Sequence, residues 1–217
     1  MGDLAEHWPL LGLQLTTPRL RLRLPSAEEL AELADLAAEG VHDPDRMPFL
    51  VPWTDKPPAE RARSVVQHYW RRLAEFGPEE WTIPFAVFVQ GTPVGMQDVS
   101  AHDFGILREV GTGSWLGRKH HGQGIGTEMR AAVLQLAFEG LGADLALSGA
   151  FDDNPASIRV SLKLGYEPDG IIHQAVRERR VIQHRLRLTR ERWEEYRQVP
   201  VTLSGLRPCL QLLGTSV

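Results

Sequence analysis

A glycine-rich turn carries the most legible chemistry in this 217-residue chain. Gly122-Gln123-Gly124-Ile125-Gly126 follows a short β-type run ending at Trp115-Leu116. Thr127 then opens a stretch in which Met129, Val133, Leu136 and Ala137 recur at helical spacing. Glycines just before a helix let consecutive main-chain N–H groups turn toward one point, where the helix dipole favours negative charge. The spacing predicts a phosphate cradle, with Arg118 and Lys119 adding charge at its mouth. Two familiar phosphate loops do not fit. A P-loop requires a Lys after its last glycine and none follows Gly126; a Rossmann turn requires G-x-G-x-x-G, and these glycines run G-x-G-x-G. An ordinary strand-to-helix turn is the plainer alternative.

A second block, Asn154-Pro155-Ala156-Ser157-Ile158-Arg159-Val160-Ser161-Leu162-Lys163-Leu164-Gly165-Tyr166, begins 32 residues after Gly122. Together with His121-Gly122-Gln123-Gly124-Ile125-Gly126 it resembles the GCN5-related N-acetyltransferase (GNAT) family. That family's pyrophosphate loop reads R/Q-x-x-G-x-G/A, and its later segment reads N-x-x-A/S-x-x-x-x-x-x-L-G-F/Y. His121 departs from the pattern by standing where Arg or Gln is usual. The likeness runs from about Leu15 to about Glu194 and is strongest toward the ribosomal-protein-alanine acetyltransferase (RimJ/RimL-like) branch. The stretches EGVHDPDRMPF, GSWLG, GTEMRAAVL and DNPASI resemble an actinobacterial subgroup for which succinyl transfer has been proposed.

The resemblance implies an α/β (α+β) GNAT fold, a mixed central sheet of six or seven strands splayed between the fourth and fifth and flanked by helices. It implies acetyl-CoA or succinyl-CoA as co-substrate and no metal. The CoA would meet Trp115 and Leu116 on the splayed strand, His121, Gly122, Gln123, Gly124, Ile125, Gly126 and Thr127 in the loop, and Asn154 and Ser157 in the second block. A main-chain N–H near Ser114 to Leu116 would face the thioester oxygen. Many family members place a Tyr acid seven residues after the Asn; here that position is Ser161, the likeness-derived acid candidate. Glu109, beside the splayed strand, is the candidate base.

Other elements must hold these residues in place. Thr17 to Leu24 alternates basic and apolar over a strand length. Ser26 and Glu29 form a capping box for a helix carrying Leu30, Leu33 and Leu36. Val41 to Pro58 holds five prolines and no period, which predicts an ordered loop or lid. Its His42, Arg46 and Trp53 are candidate substrate contacts, and Arg46 or His42 would grip an acyl chain ending in a carboxylate. Glu60 to Phe76 reads as a helix, Phe85 to Met96 as a hairpin around Gly91-Thr92, and Asp144 to Ala150 as a central strand. Tyr166 to Leu188 reads as a second hairpin, rich in Arg and His. The chain divides into a lead-in 1–14, an acyltransferase domain 15–198 and a tail 199–217, with docking of the tail on a second subunit as one use for it.

Composition bounds the rest. With 42% hydrophobic and 24% charged residues the chain can bury one large core. A net charge of −4 argues against general nucleic-acid binding. A single cysteine, Cys209, leaves no internal disulfide framework and fits a reducing cytoplasm. No apolar run approaches the length of a membrane span, no signal-like segment opens the chain, and no Cys/His cluster has metal-ligand spacing. The expected activity is direct acyl transfer from CoA to a small-molecule or peptide amine in a ternary complex, by a homo-oligomer. At pH 7 deprotonating a lysine amine costs about 4.6 kcal/mol and an α-amino group only about 1, so the absence of an obvious strong base favours an α-amine or a primary amine of lowered pKa. The alternative is a CoA-binding regulatory or scaffold protein with little or no catalysis.

Overall fold

The computed structural model describes residues 3–215. In chain order the elements are α1 (Leu4–His7), β1 (Gln14–Thr16), β2 (Leu20–Arg23), α2 (Ala27–Glu39), α3 (Pro58–Ala74), β3 (Glu80–Val89), β4 (Thr92–His102), α4 (Phe104–Leu107), β5 (Glu109–Leu116), α5 (Ile125–Gln135), β6 (Leu145–Phe151), α6 (Pro155–Lys163), β7 (Glu167–Val176), β8 (Arg179–Thr189), α7 (Arg190–Tyr196) and β9 (Thr202–Ser204). The strands form one mixed, open sheet in the order β7-β8-β6-β5-β4-β3-β2-β1-β9.

Nine strands replace the six or seven expected, for two reasons. The alternating run at Thr17 to Leu24 is broken at its start: Thr17 and Leu20 close a tight turn through Thr17 N–H to Leu20 O (2.9 Å) and Leu20 N–H to Thr17 Oγ1 (2.9 Å). The run therefore yields only β2, from Leu20, and the residues before the turn form an additional antiparallel strand, β1, outside the expected one. The tail adds β9 alongside β1 of the same chain. Lead-in and tail both join the main core, with Leu10, Leu13, Cys209 and Leu213 at 0% exposure and Trp81 Nε1 donating to Leu213 O (3.2 Å). The tail therefore finds its partner within its own chain.

The expected hairpins form with longer arms. Gln90 and Gly91 turn β3 into β4, and Arg177 and Glu178 turn β7 into β8; all four take positive φ, the geometry that matches strand twist in two-residue hairpins. Ser26 caps α2 through the full capping box. Register sets Asp98 opposite Gly113 and Gly95 opposite Leu116, so Asp98 and Leu116 point to opposite faces of the sheet. His68 of α3 reaches Asp98 on one face. On the other, Gly126 of α5 lies against Leu116.

The feature that makes the site is a fork. β5 pairs with β4 from Gly111 to Leu116, but with its parallel neighbour β6 only at Glu109–Leu145, Val110–Ala146 and Gly111–Leu147. Beyond Gly111 the two strands separate, which is the splay expected of the fold.

Candidate active site

At the wide end of the fork the chain leaves β5 through Gly117, makes a 3₁₀ turn over Arg118–His120 and enters α5 at Ile125, two residues before the expected start at Thr127. Gly122 and Gly124 stand at φ 74° and 79°, a left-handed backbone that glycine adopts without a Cβ penalty. None of the six main-chain N–H groups from Gly122 to Thr127 has a protein acceptor among the described residues; the first helical bond here runs from Glu128 N–H to Gly124 O (3.2 Å). Six adjacent open donors on a turn that also opens a helix fit a diphosphate.

Contacts both local and distant in sequence hold this turn. His121 Nε2 meets Leu116 O (3.1 Å), which folds the loop back on β5. Gln123 Nε2 donates to Lys119 O (3.0 Å), and Lys119 pairs with Glu39 at the end of α2 (2.8 Å). Arg19, from the turn between β1 and β2, donates Nη1 to Gln123 O (3.1 Å) and Nε to Glu128 Oε2 (2.6 Å). The buried Glu128 carboxylate also accepts from Thr17 Oγ1 (2.6 Å) and Arg19 N–H (3.2 Å). One arginine thus ties down the Gln123 carbonyl and keeps a half-exposed cation beside the unpaired amides.

The fork opens into a cavity of about 460 Å³ lined by Gly111 to Gly113 of β5 and Leu147 to Gly149 of β6, with Asp98 and Ser100 of β4, Asp169 of β7, Arg185 of β8 and Arg72 of α3. The edge of β5 that faces β6 has no strand partner from Thr112 to Leu116, so its backbone groups are available to an extended ligand arm. Arg185 is tied to Asp169 (3.1 Å), while Asp98 has only His68 Nε2, at 3.7 Å.

Behind the fork wall lies a charge with no opposite. Arg130 of α5 is 5% exposed. Its Nη1 donates to Ser161 Oγ (2.9 Å) on α6 and Ser148 Oγ (3.1 Å) on β6, and its Nε has no partner. No carboxylate pairs with it among the described residues, and burial pushes its pKa down. Tyr166 Oη and Thr112 Oγ1, neighbours in this cluster, fall short of hydrogen-bond geometry and are likewise buried without a partner. Burial also pushes the Tyr166 phenol up.

The structure brings part of the sequence-selected set together. Trp115, Leu116, His121 and Gly122 to Thr127 converge on the fork mouth, and Ser161 lies 0% exposed against Arg130. Asn154 caps α6 by accepting from Ser157 N–H (3.2 Å), which commits both residues to the helix start. Glu109 sits at the closed end of β5, outside the cavity lining; the carboxylates in that lining are Asp98 and Asp169. In the 41–58 loop both ring nitrogens of His42 are engaged, by Asp43 O (2.8 Å) and Thr54 Oγ1 (2.7 Å), and Arg46 is exposed. Trp53 links Phe49 (5.3 Å between centroids, tilted) to Trp115 (6.0 Å, edge-on), so the loop covers β5 through a chain of aromatic contacts. Its far side is pinned by Arg177 of the β7–β8 turn, whose Nε donates to Asp55 Oδ2 (2.8 Å); that guanidinium holds the Asp55 carboxyl below its usual range. Arg19, Glu128, Asp98, Asp169 and Arg130 escaped sequence reasoning. The one local signal was Arg130, a lone cation on the face of α5 that also carries Met129 and Val133.

Fold and site define an acyltransferase class. The acetyltransferase (GNAT) domain profile matches residues 19–167, and the chain belongs to that family, whose members use acetyl-CoA. Solved structures agree on the fold. Mycobacterium smegmatis RimJ in complex with CoA-disulfide is 18% identical, with TM-score 0.63 over 94% of this chain and 95% of that one. A GCN5-related N-acetyltransferase from Brucella melitensis is 19% identical, TM-score 0.65, over 85% and 82%. A spermidine N-acetyltransferase chimera of Vibrio cholerae SpeG and hSSAT is 16% identical, TM-score 0.61, over 81% and 98%.

Proposed function

We propose that the protein is an acyl-CoA-dependent N-acyltransferase that moves an acetyl or succinyl group to a primary amine by direct attack in a ternary complex. The observation that carries this reading is the run of six unpaired amides, Gly122 to Thr127, opening onto a fork whose β5 edge is unpaired. Those amides, with Arg19 and Arg118 nearby, would hold the diphosphate; the Thr112 to Leu116 edge would take the arm between β5 and β6. When bound, acyl-CoA supplies an activated acyl group as its thioester.

The cavity on the other side is built for a cation. Asp98 is the carboxylate there without an arginine, so it is placed to hold an ammonium group and, with His68, to take its proton. Asp169 adds a second negative charge that Arg185 partly offsets. Glu109, outside the lining, is a weaker geometric candidate for the same role. Ser161 remains the acid candidate, now with a guanidinium donating into its oxygen. For a succinyl donor, Arg46 is the available guanidinium on the loop, since the ring nitrogens of His42 are already engaged. We place the enzyme in the cytoplasm, on the ground of its one cysteine, which is buried, and its ordinary globular composition.

The test is thiol release from acetyl-CoA and succinyl-CoA with DTNB over N-terminal peptides, polyamines and aminoglycosides, with product masses recorded. At least one amine should gain about 42 or about 100 Da, the increment of an acyl group replacing one proton, and Asp98→Asn should lower turnover on it by about 10²- to 10³-fold. CoA binding without turnover on any amine would favour the regulatory reading. The alternative rests on Ser161, a hydroxyl of 0% exposure where a tyrosine acid is usual.

A further inference from the structure

Arg130 is an expensive residue for the fold to keep. A guanidinium at 5% exposure, with two neutral hydroxyls as partners, an unbonded Nε and no carboxylate, has lost its hydration without gaining a counter-charge. Packing alone is better served by an apolar side chain of the same length. Its position gives it a use. Ser148 lines the fork cavity, and the buried Ser161 of α6 shares with it the same Arg130 nitrogen, so the cation is tied to the fork wall through both hydroxyls. Because Arg130 donates to each oxygen, each hydroxyl proton is free to turn away from α5 and toward the fork.

We propose that Arg130 is a positioning residue that orients the Ser161 and Ser148 hydroxyls and, through them, stabilises negative charge on the sulfur of coenzyme A at the fork. This rests on the CoA-binding reading above. In a site screened from water a fixed positive charge acts strongly and without reorganisation, which supplies what a lone serine lacks. Other charges border the fork. Tyr166, its phenol pushed up by burial, abuts Arg130; from the cavity side Asp98 of β4 and Asp169 of β7 oppose the effect, and Arg72 of α3 and Arg185 of β8 support it. Glu128, two residues away, is committed to Arg19 and Thr17.

The experiment compares CoA with desulfo-CoA, which lacks the sulfur, by calorimetric titration from about pH 6 to about pH 9.5. A free thiol titrates near about 8.5, and each unit by which the protein lowers that value is a tenfold gain in relative affinity. The wild type should favour CoA increasingly over desulfo-CoA as pH rises, by about tenfold across the range, with thiolate ultraviolet absorbance appearing at lower pH than in free CoA. Arg130→Met should abolish the rise while its Tm stays equal or increases, Arg130→Lys should keep part of it, and Ser161→Ala should reduce it. A flat ratio in the wild type, or a rise that survives in Arg130→Met, would overturn the assignment. Should Arg130→Met not fold, Arg130→Gln and the wild-type ratio decide. Failure of the wild type to bind either compound would overturn the CoA reading itself, a result distinct from binding both with a flat ratio.

Discussion

Arg19 shows how much a single side chain can decide here. It spans the β1–β2 turn, the phosphate loop and the first turn of α5, and the Glu128 carboxylate it holds has a side chain only 9% exposed. Arg19→Met leaves that carboxylate with Thr17 as its chief partner, and truncating one member of a largely buried pair costs more than the pair contributes. The other end is half exposed, so a loss of about 1 to 3 kcal/mol in urea unfolding is expected. CoA affinity should fall about three- to tenfold, because the loop must then be ordered at the time of binding. Unchanged stability and unchanged affinity would remove Arg19 from the site. Nothing near Arg19 in sequence announced this role, since its partners lie 104 and 109 residues away. The glycines of the loop, by contrast, were legible because their spacing is local and their backbone requirement is steric.

At the scale of elements, the 41–58 loop is held from both sides: by the Phe49, Trp53 and Trp115 rings, and by Arg177 on Asp55. The Asp55 carboxyl is depressed in the folded state chiefly by its hydrogen bonds from Arg177. A depressed acid contributes stability above its unfolded value, near about pH 4, and loses it as pH falls through the folded value. The pin is thus in place at neutral pH and released only in acid. Both partners are more than a third exposed, so its net worth is under about 1 kcal/mol. Arg177→Gln should leave Tm within about 2 °C yet speed hydrogen exchange and proteolysis across residues 41–58; unaltered exchange would show that the aromatics alone hold the loop. Element types were readable from period and caps, but their ends were not. The expected strand started late, at Leu20, because Thr17 and Leu20 close a side-chain-bonded turn, and α5 began early because Gly124, not Thr127, provides the turn.

On the scale of the whole molecule, the two chain ends that looked peripheral close the sheet and core, so Cys209 is at 0% exposure and its thiol is pushed up to about 11 by burial. It should stay unreactive toward DTNB in the native protein at pH 8 and react only on unfolding; fast native labelling would contradict the docked tail. The pairing of β9 with β1 joins segments at opposite ends of the chain, beyond the reach of any local pattern. The buried charge of Arg130 was hidden for a related reason: a helix pattern shows a polar residue on an apolar face, not what it meets. The account depends most on the unpaired amides of Gly122 to Thr127. Hydrogen exchange of the 117–128 segment with and without coenzyme A tests them directly: marked protection that survives with desulfo-CoA and is lost with pantetheine, which lacks the diphosphate, is expected, and exchange unchanged at saturating coenzyme A would contradict it.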